Sequence, residues 1–176
     1  MDLTPATSTL PAPSRLRRFA CMMYEGVLLF GVVFLAGYLF DTLTQSRHAL
    51  ALRHGRQAFL FLAIGLYFVL CWRKSGQTLP MKTWHIRLVD AATGRVPGTS
   101  RLIARYLLAW PLPLAGAAVV WTLSSATGWQ SVDMLIVFAP FAHFAWSWFD
   151  REGAFLHDRL ARTRLVSVQP APRGRR

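Results

Sequence analysis

Four long apolar runs constrain the fold of this 176-residue chain more than any other feature. An α-helix rises about 1.5 Å per residue and the hydrocarbon core of a bilayer is about 30 Å thick, so a helical span needs roughly 20 apolar residues. The second run is short, and it crosses only if the bilayer thins locally or if Gln57, Arg73 and Lys74 reach the interface. The runs predict an all-α membrane protein with four transmembrane helices, over residues 19–40, 57–72, 106–123 and 132–149.

The composition favours a membrane protein over a soluble basic one. Hydrophobic residues make up 53% of the chain and charged residues only 16%, below the quarter that is typical of soluble domains. A formal charge of +12 would suggest nucleic acid as the partner of a soluble protein, but a mean hydropathy of +0.32 argues against such a partner. The hydrophobic content excludes a disordered chain, and two cysteines within apolar runs do not predict a disulfide scaffold.

The distribution of Lys and Arg predicts the orientation of the four spans. Of the 20 basic residues, 17 lie before the first span, between the second and third, or after the fourth. Three lie between the first and second spans and none between the third and fourth. Because basic residues accumulate on the cytoplasmic side of a membrane, both termini are expected in the cytoplasm. On that side the basic residues should contact anionic lipid headgroups.

The segments outside the spans predict two tails and one structured loop. Residues 1–14 are rich in Pro, Ser and Thr and predict a disordered cytoplasmic tail; residues 167–176 predict a basic one, leaving a transmembrane domain over 15–166. Between the second and third spans, residues 81–90 partly alternate between apolar and polar, and a turn signal follows at 92–95. We expect a short β-hairpin or an extended lid at the membrane surface.

Three short motifs lie around these spans. Arg18 precedes the acidic Glu25 by seven residues; the segment GQTLPMK at 76–82 leads into IRLVD at 86–90 and the turn glycine Gly94; and HDRLART occupies 157–163. In this order the motifs resemble those of the RDD family, small bacterial membrane proteins named for one arginine and two aspartates. The resemblance covers about residues 15–166. Glu25 stands where the family has an aspartate, and Pro80 and Arg162 stand where it usually has glycines.

The resemblance implies a multi-pass protein of the bacterial inner membrane. Transport is usually suspected for the family, and cation/proton exchange has been proposed for some members. Its arginine and second aspartate correspond here to Arg18 and Asp158, and we expect Asp158 to pair with Arg18 or Arg17 in a structural charge network. The alternative is that Asp158 only caps a short interfacial helix.

Glu25 and His143 are the candidate transport or ion-binding residues. An acid inside a membrane costs a few kcal/mol and usually faces a partner or a water-filled cavity. The alternative for Glu25 is an ion pair with an arginine that pins the first helix. His143 lies near the middle of the fourth span and predicts a proton relay or a cation ligand, since imidazole titrates near neutrality. Its alternative is a neutral ring hydrogen-bonded to Ser, Tyr or Trp.

Pro111 and Pro113 predict a kink or break in the third span. Such breaks mark binding sites in some transporters, although neighbouring helices more often simply accommodate the proline.

The sequence predicts a small transporter, working as an oligomer because four short helices enclose little space. Its ligand is not identified by the sequence. The alternative is a non-transporting accessory or lipid-binding protein whose charge network is structural. No zinc-ligand spacing, phosphate-binding loop or nucleophile elbow is present, so we expect no cofactor, no metal and no catalysis. An enzyme acting on lipids would need His85, Asp90, His157 and Asp158 around one cavity.

Overall fold

The computed structural model describes residues 10–44, 52–150 and 153–168. Four of its helical segments are long and apolar enough to cross a membrane, which confirms the predicted fold class. They are Arg15–Thr44, Arg53–Thr83, Thr99–Thr127 and Ser131–Phe149. In chain order the elements are α1 (Arg15–Thr44), α2 (Arg53–Ser75), α3 (Leu79–Thr83), β1 (Ile86–Asp90), α4 (Thr99–Leu108), α5 (Pro111–Thr127), a 3₁₀ helix (Gln130–Phe141), α6 (Ala142–Phe149), α7 (Leu156–Leu160) and β2 (Thr163–Ser167).

The second span is longer than its apolar run suggests. Helix α2 contains 23 residues because the polar residues on both sides of the run are also helical. It ends at Gly76, whose φ of 70° lets its N–H reach the Trp72 carbonyl. At about 1.5 Å per residue this length is sufficient for the bilayer core.

The third span is broken, as the prolines predict. Helix α4 ends at Leu108 and α5 begins at Pro111, with Ala109 and Trp110 between them. Proline has no N–H to donate, so Pro113 cannot supply the usual helical partner of the Ala109 carbonyl. The fourth span is irregular as well, since a 3₁₀ helix containing Pro140 precedes α6.

The predicted extended segment is present, but its partner strand lies elsewhere. Strand β1 pairs antiparallel with β2, which follows the fourth span, in a register from Ile86 opposite Ser167 to Asp90 opposite Thr163. A hairpin inside the loop does not develop beyond the hydrogen bond from Asp90 N–H to the Arg95 carbonyl. Pro97, two residues later, has no N–H with which to extend that pairing.

The predicted tails need a correction at their inner ends. Pro13 is buried, and the Pro11 carbonyl accepts a hydrogen bond of 2.8 Å from Ser167 N–H, so residues 10–14 lie against β2. Ser167, assigned to the basic tail, is the last residue of that strand. The rest of the two predicted tails, residues 1–9 and 169–176, falls outside the described residues.

The buried core lies at the end of the bundle that carries the sheet, called here the strand-bearing end. Its members come from α1, α2, α3, β1 and α4: Cys21, Trp72, Met81, Ile86, Leu88, Leu102 and Tyr106. Elsewhere the long helices expose large apolar side chains, as expected where lipid takes the place of water.

Candidate functional site

A cavity of about 330 Å³ lies among α1, α2, α4 and the fourth span. The lining includes five acidic or basic side chains, Arg18, Glu25, Arg105, His143 and His157. The rest is mostly apolar and includes a proline from each irregular span, Pro113 and Pro140. The structure therefore places both candidate transport residues, Glu25 and His143, on one cavity.

Glu25 is held by two hydroxyl groups. The Tyr67 hydroxyl donates to one carboxylate oxygen at 2.7 Å and the Thr78 hydroxyl donates to the other at 2.5 Å. The side chain is buried at 9% exposure. Within the described residues no Lys, Arg or His nitrogen lies within 4.0 Å of its carboxylate. The structure thus shows hydrogen bonds where the alternative interpretation expected an ion pair.

Thr78 connects Glu25 to the loop between the second and third spans. It is the N-cap residue of α3, and its side chain accepts a hydrogen bond from Met81 N–H at 3.4 Å. One hydroxyl therefore caps a helix and holds the carboxylate of α1 at the same time.

His143 lies at the start of α6, with its ring edge-on to the ring of His157 at a centroid distance of 4.8 Å. It also interacts with the backbone of Ala109, in the break of the third span. Its Nδ1 is buried and has no hydrogen-bond partner among the residues that the structure describes. The alternative interpretation expected the His143 ring to be hydrogen-bonded to Ser, Tyr or Trp, and the structure shows no such bond at Nδ1.

Asp158 pairs with Arg105 rather than with Arg18 or Arg17, which corrects the predicted network. The Arg105 Nε lies 2.7 Å from Asp158 Oδ1, and the Thr163 hydroxyl donates to the same oxygen at 3.1 Å. Burial alone would raise the pKa of Asp158, but the Arg105 guanidinium, His157 and the two hydrogen bonds outweigh it and hold the pKa below its ordinary value. The buried carboxylate is therefore ionised at neutral pH.

Arg18 makes different contacts from those predicted. Its guanidinium donates to the carbonyls of Pro13, at 3.0 Å, and Gly153. It also lies over the Phe155 ring, 5.5 Å from the centroid. Arg17 points elsewhere, with a 2.5 Å hydrogen bond to the Ser167 hydroxyl. The first helix is thus tied to the C-terminal segment through the Gly153 carbonyl, the Phe155 ring and the Ser167 hydroxyl.

His157 is a buried, neutral histidine. Burial lowers its pKa to about 3; the charge of Asp158 opposes this shift, whereas Arg105 and His143 add to it. Like His143, it has a buried Nδ1 without a hydrogen-bond partner in the described part of the chain.

Sequence reasoning missed Tyr67, Thr78 and Arg105. The one available signal for Arg105 is its spacing, because Arg101 and Arg105 are four residues apart and so share a face of α4. The structure pairs Arg101 with Asp90 and Arg105 with Asp158. Nothing in the sequence singles out Tyr67, and only its position in the second motif singles out Thr78.

The residues required for lipid chemistry do not converge on this cavity. Of His85, Asp90, His157 and Asp158, only His157 lines it. Asp90 instead accepts hydrogen bonds from the backbone N–H groups of Ala92 and Thr93 in the turn after β1. Within residues 10–44, 52–150 and 153–168, no group of three or more His, Cys, Asp or Glu side chains is arranged to hold a metal ion.

Comparison with known proteins yields one match. The family model described as the RDD family matches residues 12–162, which includes the five acidic or basic side chains of the cavity. No curated protein and no solved structure matches the chain.

Proposed function

The chain belongs to the RDD family of multi-pass membrane proteins, and from this premise we propose that it is a small transporter whose working group is the Glu25 carboxylate. The observation that carries the proposal is the shared cavity: Glu25 and His143 come from the first and fourth spans and line the same space. Ionisable side chains in membrane helices usually mark an ion or substrate pathway.

The hydrogen bonds of Glu25 suit a group that gains and loses a proton. A hydroxyl group can donate or accept, so Tyr67 and Thr78 can satisfy the charged carboxylate and also accept from the protonated acid. Neither state then leaves a carboxyl oxygen buried without a partner. An arginine partner would favour only the charged state.

The irregular spans supply a means of opening the cavity. Pro113 and Pro140 both line it, and each interrupts the regular helix of its span. Discontinuous helices allow part of a span to move without unwinding the rest, as in other transporters. We propose that movement at these breaks exposes Glu25 alternately to the two sides.

Ion flux in proteoliposomes tests the transport proposal. A pH-sensitive dye inside the vesicles reports proton movement after Na⁺ or K⁺ is added outside. We expect flux through the wild-type protein that Glu25→Gln abolishes. Asp41→Asn is the matched control, because Asp41 lies on the same helix but is half exposed and paired with Arg56. Absence of flux from folded wild-type protein, or equal loss in both variants, would contradict the proposal.

A second candidate function is that of a non-transporting accessory protein. The observation that favours it is that Glu25 joins three elements, since its partners lie on α2 and at the cap of α3. A purely structural Glu25 predicts that Glu25→Gln fails to accumulate and that Tyr67→Phe lowers stability by a similar amount. A Glu25→Gln protein that folds normally and loses only flux would contradict this function.

The orientation and partners follow from charge and size. We propose that the protein lies in a bacterial inner membrane with both termini in the cytoplasm. Its basic residues then contact anionic headgroups, and several copies assemble to enclose a larger path. The proposal involves no catalytic step, no cofactor and no nucleic acid.

A further inference from the structure

The net charge of the cavity depends on Glu25, one of its lining residues, which is negative only when it is ionised. Arg18 and Arg105 both line the cavity, and Arg105 has the buried partner Asp158. Arg18 is 9% exposed, and its contacts are two carbonyl groups and the Phe155 ring. No carboxylate of the described residues lies within 4.0 Å of its guanidinium. The charges of Asp158 and Asp150 act on Arg18 only from beyond that distance. A buried cation with no carboxylate in contact is costly, so while Glu25 is protonated this position favours an incoming negative charge.

Three residues of the cavity lining carry ring nitrogens without hydrogen-bond partners. Trp72 Nε1 and the Nδ1 atoms of His143 and His157 are buried without hydrogen-bond partners in the described part of the chain. All three residues line the cavity, and Trp72 and His157 are more than nine-tenths buried. Buried polar groups almost always have partners, so three such atoms in the lining residues of one cavity favour a polar ligand. The indole N–H is a donor only, so it requires an acceptor.

The remaining surface selects against small inorganic anions. The lining between the polar groups comes from side chains such as Met22, Leu29 and Phe68. An inorganic anion would leave these apolar side chains facing water. A volume of about 330 Å³ lies at the lower end of the range of small-molecule sites, roughly 300–1,000 Å³.

We infer that the cavity binds a small organic anion with an apolar body, its anionic group at Arg18 and its body against the apolar lining. Movement of this ligand together with a proton on Glu25 rests on the proposed transport function. Binding of the ligand does not. A medium-chain carboxylate has the required chemistry. An anionic lipid shares that chemistry, and the test distinguishes the two sources.

Binding is measured by calorimetry on the full chain in nanodiscs of phosphatidylcholine, with octanoate as the probe and octanamide as its neutral isostere. We expect octanoate to bind and octanamide to bind at least about tenfold more weakly, because only the anion compensates the buried guanidinium. Arg18→Gln should weaken octanoate binding at least about tenfold. The matched control is Arg17→Gln, which removes the neighbouring charge without touching the cavity.

A second variant keeps the inference testable if Arg18→Gln does not fold. Trp72→Phe retains an aromatic ring beneath the Arg105 guanidinium, which lies 4.3 Å from the ring centroid, but removes the indole N–H. It should weaken octanoate binding several-fold. No binding of octanoate to the wild type, equal binding of octanamide, or equal losses in the Arg17 and Arg18 variants would overturn the inference.

Further arms separate this inference from the lipid alternative and from the proposed function. Loss of octanoate binding in phosphatidylglycerol nanodiscs would assign the cavity to a lipid and overturn the soluble ligand. Octanoate binding without any flux would support the binding inference while the transport proposal fails. Proton flux that depends on Glu25, from protein that does not bind octanoate, would support transport and overturn the ligand.

Discussion

Two Asp–Arg pairs of this protein differ mainly in their surroundings. The side chains of Arg105 and Asp158 are 8% and 3% exposed, whereas those of Arg56 and Asp41 are 47% and 49% exposed. Removing one partner of a buried pair leaves an uncompensated charge and costs about 3–5 kcal/mol, but a typical exposed pair contributes about 0–1 kcal/mol.

We therefore expect Asp158→Ala to lower the free energy of unfolding by about 3–5 kcal/mol and Asp41→Ala by no more than about 1 kcal/mol. Denaturant unfolding in detergent, followed by tryptophan fluorescence, measures both values. Similar losses in the two variants would show that the Asp158 pair does not hold the strand-bearing end together.

His157 should make stability depend on pH. Its pKa is about 3 in the folded state and about 6.5 in the unfolded chain. Above pH 6.5 the ring is neutral in both states and its full contribution is present. As the pH falls towards 3, only the unfolded chain binds the proton, so the free energy of unfolding decreases by about 1.4 kcal/mol per pH unit.

Between pH 6.5 and 5 this amounts to a loss of about 2 kcal/mol. His157→Gln should remove that part of the pH dependence, and His54→Gln, at an exposed position of α2, should leave it unchanged. Unfolding curves recorded from pH 5 to 7.5 provide the comparison. An unchanged slope in His157→Gln would show that another group causes the loss.

At the residue scale, the sequence identified Glu25 and His143 because charged and titratable groups are conspicuous in apolar runs. It could not identify their surroundings. Tyr67 and Thr78 are common residue types, and only the packing of α1 against α2 and α3 turns their hydroxyls toward Glu25. The choice of Arg105 over Arg18 as the partner of Asp158 likewise depends on how α4 packs against α7.

At the element scale, two glycines terminate helices with the same backbone geometry in different surroundings. Gly76 after α2 and Gly128 after α5 both have φ of 70°. A Cβ on Gly76 would lie 2.7 Å from the Leu88 carbonyl oxygen, whereas a Cβ on Gly128 would meet nothing within 4 Å. The Gly76 carbonyl also accepts a hydrogen bond of 2.8 Å from Leu88 N–H, so Gly76 sets the position of β1.

Gly128→Ala should therefore cost only the left-handed strain, about 1–2 kcal/mol, while Gly76→Ala should cost about 1–3 kcal/mol more. Thermal unfolding of the two variants in the same detergent measures the difference. Equal destabilisation would mean that the backbone at Leu88 moves away freely, which would contradict a tight junction between α2 and β1.

The elements could be predicted from the sequence to different degrees. The spans followed from hydropathy because the bilayer sets one length requirement for every crossing. The extended segment of the loop was also found from its alternation. Its pairing with β2 was not, because the partner lies more than 70 residues away and short strands do not specify one another by sequence.

At the scale of the whole molecule, the sheet brings the two ends of the spanning domain together. Strand β1 belongs to the connection between the second and third spans, and β2 follows the fourth span and contacts the segment that precedes α1. The charge pair Arg101–Asp90 attaches β1 to α4, and Arg105–Asp158 attaches α7, the helix that precedes β2, to α4. The cavity lies directly inside this junction, so movement of α4 would change the cavity and the sheet together.

The distribution of basic residues predicts how this assembly is oriented in the membrane. Strand-bearing loops carry most of the basic residues, and the turn between the third and fourth spans carries none. From the positive-inside rule we therefore expect the sheet to lie on the cytoplasmic side. Thr93, in the turn after β1, and Thr127, at the end of α5, are both exposed and mark opposite ends of the bundle. In spheroplasts, an impermeant maleimide should label Thr127→Cys directly and Thr93→Cys only after lysis.

The two native cysteines give a low background, because Cys21 is buried and Cys71 is half-buried. Labelling of Thr93→Cys in intact spheroplasts would reverse the orientation and place the Arg18 side of the cavity outside the cell.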